Sequence, residues 1–163
     1  MDKLTQETVQ KLLDYDATTG EFRWKLKRRG VPTGKVLGTD NGFGYLRITV
    51  CGKSYYAHRL AWLYVHGYMP PQEIDHINGN KGDNRISNLR EASPLQNAQN
   101  KRKAMSNNKS GHLGISWHER AGKWQVHICT CKKRKYLGIY DDIEAAKAAY
   151  AAAKKEQHPF STI

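Results

Sequence analysis

A strand, turn, strand and helix pattern in the middle of the chain most constrains its fold. Residues 74–77 are typical of a short strand, and the next segment, 78–84 (NGNKGDN), has the composition of a turn. Residues 87–92 indicate a returning strand. Ser93 then stands where a helix N-cap belongs, with proline at the first position of a helix that continues through 94–101. The pattern predicts a β-hairpin followed directly by a helix.

Four side chains of this pattern have the chemistry that phosphodiester hydrolysis needs. Neighbouring strand residues point to opposite faces, so Asp75 and His76 cannot have the same role. A neutral imidazole near pH 7 can take a proton from water, which makes His76 a candidate general base. Asp75 and the side-chain carbonyl of Asn97 are hard oxygen donors that suit one Mg²⁺ or Mn²⁺ ion. Asn88 lies across the hairpin, where its amide can bond the backbone and hold the loop behind His76.

This stretch resembles the HNH endonucleases with a ββα-metal motif, specifically the homing-type members found in phages. The resemblance implies that His76 is the general base and that Asn88 is the middle residue of the catalytic motif. Asp75 and Asn97 are then the metal ligands, and Asn100 is an alternative because the third motif residue is asparagine rather than histidine. The matching segments are 57–61 (AHRLA), 75–79 (DHING), 84–90 (NRISNLR) and Asn97.

The residues before this unit predict supporting elements. We expect the second of two helices to pack against the hairpin that carries the candidate base. His58 stands at the junction of a strand and this helix, where a lone histidine is most often a hydrogen-bonded packing residue. The predicted elements are a helix from Thr5, a strand at 21–25, a β-hairpin of 45–50 and 54–57, and a helix at 58–66.

The charge of the chain predicts a polyanionic partner. The formal net charge is +12, from 27 Lys and Arg against 15 Asp and Glu. The excess is uneven, because residues 101–163 hold 13 basic and 5 acidic side chains, a difference of +8. We interpret this surplus beyond the catalytic unit as a surface that binds the phosphates of double-stranded DNA.

Cysteine usage and hydropathy indicate where the protein works. Cys51, Cys129 and Cys131 are odd in number and lack the paired spacing of a zinc site, so we expect reduced thiols. The longest apolar run, 60–65, is too short to cross a bilayer, and no secretory signal opens the chain. We therefore expect a cytoplasmic protein without a membrane partner, in the host cytoplasm or nucleoid if it is phage-encoded.

A basic, polar segment at 101–110 (KRKAMSNNKS) is typical of a linker between two modules. The predicted modules are residues 1–100, an HNH nuclease domain with an N-terminal β/α extension, and residues 111–163. The linker could follow the DNA backbone, and the family resemblance suggests phosphate contacts in the nuclease unit. The candidate DNA contacts in these two parts are Arg59, Arg85, Lys101, Arg102 and Lys103.

Beyond Gly111 the pattern predicts three short antiparallel strands, at 112–117, 123–128 and 135–140, followed by one helix. Alternation gives the sheet an apolar face, which the helix covers, and a basic face that is free to enter a DNA groove. The candidate contacts are Trp117, His118, Arg120, Lys123, Gln125, His127, Lys133, Arg134, Lys135 and Tyr136.

This second module resembles the Apetala-two type DNA-binding domain, known from plant transcription factors and from phage HNH nucleases. The resemblance implies that the sheet lies on DNA. Plant members begin the first strand with a base-reading arginine where this chain has Leu113, so the resemblance implies the binding mode and not the base preference. The matching segments are 114–117 (GISW), 122–126 (GKWQV), 136–141 (YLGIYD) and 144–146 (EAA).

The sequence therefore predicts an α+β, two-module DNA endonuclease that uses one divalent ion and cuts double-stranded DNA, as a monomer or a homodimer. Nicking is natural for a monomer with one catalytic unit. The alternative is a catalytically inactive DNA-binding regulator on an HNH scaffold, which Asn97 in place of histidine keeps open.

Overall fold

A computed structural model describes residues 4–26, 30–32, 34–101, 104, 108–130 and 133–162. It divides the chain into two compact units, Met1–Ser93 and Pro94–Ile163. That residues 101–110 link a nuclease module to a DNA-binding module stays a prediction. Two candidate DNA contacts in this segment, Arg102 and Lys103, lie outside the described ranges. Within those ranges no helix is both long and apolar enough to span a bilayer.

The first unit opens with a helix and a two-stranded sheet, formed by α1 (Gln6–Leu12), β1 (Leu13–Asp16) and β2 (Glu21–Trp24). As predicted, Thr5 caps α1, its side chain accepting a hydrogen bond from the Thr8 amide at 3.2 Å. Strand β1 was not predicted. Its alternating apolar residues, Leu13 and Tyr15, are buried once β1 pairs with β2.

Next come three antiparallel strands and a helix: β3 (Thr39–Asp40), β4 (Leu46–Val50), β5 (Lys53–Tyr56) and α2 (Ala57–His66). The predicted hairpin is confirmed by the pairing of β4 with β5, and Ile48 and Val50 of β4 are buried in the core of this unit. Helix α2 contributes Leu60, Ala61 and Leu63 to the same core and ends at Gly67.

The hairpin that carries the candidate base consists of β6 (Glu73–His76) and β7 (Leu89–Ala92). Their antiparallel register sets Asp75 opposite Arg90 and His76 opposite Leu89. The returning strand begins two residues later than predicted because Ile86–Asn88 forms a 3₁₀ turn. Asn88 is thus the last residue of this turn, and not a strand residue.

The second unit contains α3 (Pro94–Gln99), β8 (Ile115–His118), β9 (Lys123–Thr130), β10 (Lys133–Tyr140) and α4 (Ile143–Gln157). The sheet is antiparallel with β9 in its centre, and α4 packs against it through a core of Ile115, Val126 and Ala146. Asp142 caps α4 by accepting a hydrogen bond from the Ala145 amide at 3.1 Å. The predicted α+β class is confirmed, with small antiparallel sheets and four α-helices among the described residues.

Candidate active site

His76 ends strand β6 in a cluster of aromatic rings. Its side chain is buried, with 4% of its surface exposed. The ring of His58 meets it edge to face, with 5.1 Å between centroids, and the ring of Tyr45 lies 5.9 Å away. Burial lowers the pKa of His76 below 6.5, although the nearby side chains of Asn84 and Asp75 act in the opposite direction. The imidazole is therefore neutral near pH 7, as a general base must be.

His58 is the residue of this cluster whose place the sequence did not reveal. It lies in the first turn of α2, buried, and stacks on Tyr56 at 5.3 Å between centroids. The expectation of a hydrogen-bonded packing residue is wrong for one ring nitrogen, because Nδ1 has no hydrogen-bond partner among the described residues. Burial, with smaller contributions from His76 and Arg59, lowers the pKa of His58 to about 3. Two neutral imidazoles thus lie in contact.

Asn88 holds the loop that leaves β6. Its side-chain oxygen accepts a hydrogen bond from the Asn78 amide at 2.9 Å, and its side-chain nitrogen donates to the Asp83 carbonyl at 2.9 Å. The Asn88 carbonyl also accepts from the Ile77 amide at 2.8 Å. These three bonds bridge both ends of the loop, which is the supporting contact expected from the sequence.

A second support reaches this loop from the turn between β1 and β2. The Tyr15 hydroxyl donates to the Asn84 carbonyl at 2.8 Å. Gly20 packs against the same backbone, where a Cβ atom would stand only 2.5 Å from the Arg85 nitrogen. With φ at +76°, this position excludes larger side chains by conformation as well as by contact. The contacts that Tyr15 and Gly20 make with the backbone at 84–85 therefore set the position of the loop behind His76.

Asp75 is a buried carboxylate that already binds a cation. Arg90, its partner in the register, donates to Oδ2 from Nε at 3.0 Å and from Nη2 at 2.9 Å. Among the described residues no cluster of three or more His, Cys, Asp or Glu side chains could form a metal cage. The donor chemistry fits an ion held by one carboxylate, an amide oxygen, water and phosphate, the arrangement that Mg²⁺ favours.

The two asparagines proposed as the second ligand both belong to the unit that begins at Pro94. Asn97 is half-buried on α3. Asn100 is buried, and its side-chain oxygen accepts a hydrogen bond from the Thr162 hydroxyl at 2.9 Å. The side-chain oxygen of Asn100, the alternative ligand, is thus bonded to Thr162. The convergence of Asn97 and Asp75 on one ion stays a prediction.

Two arginines of the first unit make protein contacts. Arg59 donates to the carbonyls of Pro70, at 2.6 Å, and Gln72, at 3.2 Å, and so holds the connection between α2 and β6. The Arg85 guanidinium pairs with Asp83 through two bonds, of 2.8 and 2.6 Å. This pairing lowers the pKa of Asp83 to about 2. A phosphate at either arginine would share a group that already orders the protein.

The register of the second unit sorts the candidate DNA contacts between two faces. Lys123, Gln125 and His127 share the face opposite to α4 with Arg134 and Tyr136. The Arg134 Nη2 atom lies 3.0 Å from His127 Nδ1, and the Tyr136 ring lies 5.2 Å from the His127 ring. Both contacts are within one exposed patch.

A β-bulge between Tyr136 and Gly138 decides which side chains of β10 belong to that patch. It sets Tyr136 opposite His127, where an unbroken register would set it opposite Ile128, so Lys135 and Lys133 take the helix side by alternation. Trp117 pairs directly with Trp124, which also lies on the helix side. For these three residues, a place on the predicted basic face is wrong.

Three further candidates belong to the second unit but not to the centre of the patch. His118 ends β8 on the patch side, and Arg120 is exposed in the turn that follows. The Lys101 carbonyl accepts a hydrogen bond from Lys154 Nζ, while its own side chain is exposed. The centre of the patch therefore consists of side chains in contact, and Lys101 has its contact with α4, on the other side of the sheet.

The candidate site lies in a segment that matches a known protein family. Residues 55–99 match the model of the HNH endonuclease family. Protein 3.8 of Escherichia phage T7 is 30% identical to this chain over 102 residues, 62% of this chain and 83% of that protein. This chain belongs to the HNH endonuclease family. The segment that matches the family model contains His58, Asp75, His76, Asn88 and Asn97.

Other known proteins are also similar to this chain. An AP2-like ethylene-responsive transcription factor of Arabidopsis thaliana is 35% identical over 60 residues, and an APETALA2-like protein of Oryza sativa is 36% identical over 56. The chain spans only 12% and 13% of these plant proteins. The predicted Apetala-two resemblance is confirmed. A structure of DNA binding and cleavage by the HNH homing endonuclease I-HmuI aligns with 96% of this chain and 87% of its own, with a TM-score of 0.46 and 22% identity.

Proposed function

We propose that this member of the HNH family is a metal-dependent endonuclease that hydrolyses phosphodiester bonds in double-stranded DNA. The observation that carries the proposal is the buried, neutral His76 beside Asp75 at the end of β6, on a loop held by Asn88. A pKa lowered by burial keeps the base in its reactive form, and a fixed loop keeps it in place.

His76 takes the proton from the attacking water. Burial opposes the charge that this step creates, and the carboxylates of Asp75 and Asp83 favour it. Burial is the larger influence, so the pKa of His76 stays below 6.5. Asn88 acts through the loop, as a positioning residue.

Asp75 and Asn97 would hold one Mg²⁺ or Mn²⁺ ion, which stabilises the negative charge that develops on the phosphate. Asp75 fits this role as a hard oxygen donor next to the base. Its bond to Arg90 fixes the direction of the carboxylate, so Arg90 is a positioning residue for the ligand.

The second unit holds the substrate through the patch of Lys123, Gln125, His127, Arg134 and Tyr136. Support comes from the positive surplus of this half and from the likeness to plant proteins named as transcription factors. A sheet face of this kind can enter a major groove.

The test is cleavage of supercoiled plasmid by His76→Gln and by His66→Gln, a matched histidine that is exposed on α2. With Mg²⁺ or Mn²⁺ present, we expect His76→Gln to lose about 10²- to 10⁴-fold in cleavage rate. Its DNA affinity should stay within a few-fold, and His66→Gln should cut normally. Undiminished turnover by His76→Gln would remove the catalytic role.

The same assay separates an enzyme from a DNA-binding regulator. The likeness to transcription factors favours DNA binding in either case. A wild-type protein that binds duplex DNA but cuts none with either metal is a regulator on a nuclease scaffold. Cutting that stops with EDTA and returns with Mg²⁺ supports the enzyme.

A further inference from the structure

Phe43 is the most exposed large apolar side chain in the described part of the chain, with 75% of its surface accessible. It stands at the tip of the turn that joins β3 to β4. An aromatic ring in water is unfavourable by the hydrophobic effect, and rings of this size are usually at least partly covered. Phe43 is therefore a candidate contact for a ligand.

The turn around Phe43 is held by four hydrogen bonds. The Asp40 carboxylate accepts from the amides of Gly42, at 2.7 Å, and Gly44, at 3.0 Å. The Asn41 side chain accepts from the amides of Phe43, at 2.9 Å, and Tyr45, at 3.3 Å. The ring is thus presented to solvent by an ordered backbone.

The turn is also tied to the active-site loop. Lys81, from the loop behind His76, donates from Nζ to the Phe43 carbonyl at 3.2 Å. The same Nζ lies 4.7 Å from the centre of the Tyr45 ring, which in turn neighbours His76. Three contacts therefore connect the exposed ring to the candidate base.

We propose that Phe43 is a wedge that stacks on, or inserts between, the bases of duplex DNA beside the phosphate that is cut. The inference rests on the proposed function and adds a contact to bases within the nuclease unit. An isolated apolar tip on a hairpin that carries one cation and contacts another matches a duplex, whose base faces are apolar and whose edges carry phosphates. The cations are Lys81 and Arg47, of which Arg47 is exposed beside Tyr56.

A protein partner fits this surface less well. Protein interfaces are centred on broad apolar patches, whereas the neighbours of Phe43 in the turn are Asp40, Asn41 and two glycines. A single ring on a polar turn has too little apolar area for such an interface. The same area is enough to separate one base step.

The experiment measures base stacking in the full chain. His76→Gln protein, which we expect to cut too slowly to matter during a titration, is added to duplexes carrying 2-aminopurine at successive positions across the region that footprinting shows to be bound. We expect a several-fold rise in fluorescence at one or two positions. Phe43→Ala in the same background should abolish the rise and weaken binding about ten- to hundredfold.

Two further variants control this result. Phe43→Leu keeps an apolar wedge and should retain most of the rise. Val65→Ala removes another exposed apolar side chain, on α2, and should change neither signal nor affinity. Since Phe43 is exposed, all variants should keep the wild-type melting temperature.

The outcomes separate this inference from the proposed function. A protein that binds and cuts DNA with no fluorescence rise, or with the same rise in Phe43→Ala, overturns the wedge and leaves the nuclease intact. A wild-type protein that neither binds nor cuts duplex DNA overturns both.

Discussion

The two units of this chain use polar side chains in opposite ways. In the first unit Asp75, His76 and Asn88 are buried and bonded to neighbours that also support the loop. In the second, Lys123 pairs with Asp141 at 2.8 Å and Arg134 contacts His127 at 3.0 Å, and both pairs lie at the surface. A buried polar group that loses a partner leaves another unsatisfied, whereas exposed cations act on phosphates almost independently. Substitutions should therefore act steeply in the first unit and gradually in the second.

Gly20 offers the steepest test outside the base itself. Gly20→Ala should displace the loop at Asn84 and Arg85, because its Cβ would meet backbone atoms at 2.5 and 2.6 Å. A shift of about 1 Å at a catalytic group can cost about 10²-fold in rate, so we expect a loss of this order. Plasmid cleavage and a urea unfolding curve measure the change.

Gly52→Ala is the matched control for Gly20. Its φ of +75° is nearly the same, but no atom lies within 4 Å of the added Cβ. It should lower the free energy of unfolding by roughly 1–2 kcal/mol, the cost of the left-handed conformation, with little change in rate. Equal losses in both variants would show that strain alone, and not the contact with the loop, explains Gly20.

His58 gives a prediction of intermediate size, which concerns how the stability of the folded protein depends on pH. Its pKa is about 3 in the folded protein and near 6.5 in an unfolded chain, so the unfolded chain binds the proton first. The contribution of neutral His58 to the free energy of unfolding is complete above pH 6.5 and is lost as the pH falls towards 3. Hydrogen exchange of peptides from α2 should therefore accelerate, relative to intrinsic rates, between pH 6.5 and pH 4.5.

His58→Phe keeps the ring shape and removes the titrating group. Its α2 peptides should show a weaker dependence on pH than those of the wild type, while peptides from β9 in the second unit behave alike in both proteins. An unchanged dependence in His58→Phe would mean that another group, such as His76, governs acid stability.

The contrast between the units also explains what the sequence could predict. The order β6, turn, β7 and α3 was predicted because its signals are local: a glycine-rich turn and a serine before proline at the helix start. The place of His58 against His76 depends on packing between two residues 18 positions apart, on different elements, which no local pattern encodes. Strand β1 was missed because its partner, and not its own composition, makes it a strand.

The bulge in β10 is a different case, because the sequence contained a signal. Gly138 interrupts an otherwise regular strand pattern, and glycine inside a strand often marks a bulge. Alternation without the bulge would place Lys135 on the patch face and Tyr136 on the helix side, the opposite of what the register shows. The candidate catalytic residues were chosen from type and spacing, whereas the candidate binding face required the register.

The register leads to the smallest expected effect, on DNA affinity. Arg134 lies on the patch beside His127, and Lys135, its neighbour, faces the helix side by alternation. Both side chains are exposed cations, so they differ chiefly in direction.

Arg134→Ala should weaken binding a few-fold and reduce the slope of log affinity against log salt by about 0.9, as expected for one lost phosphate contact. Lys135→Ala should leave the slope nearly unchanged, because a cation on the opposite face cannot reach the same duplex. Fluorescence anisotropy with a labelled duplex at several salt concentrations measures both slopes. If Lys135→Ala lowers the slope as much as Arg134→Ala, the second unit attracts DNA by its total charge, and the face set by the bulge has no special part in binding.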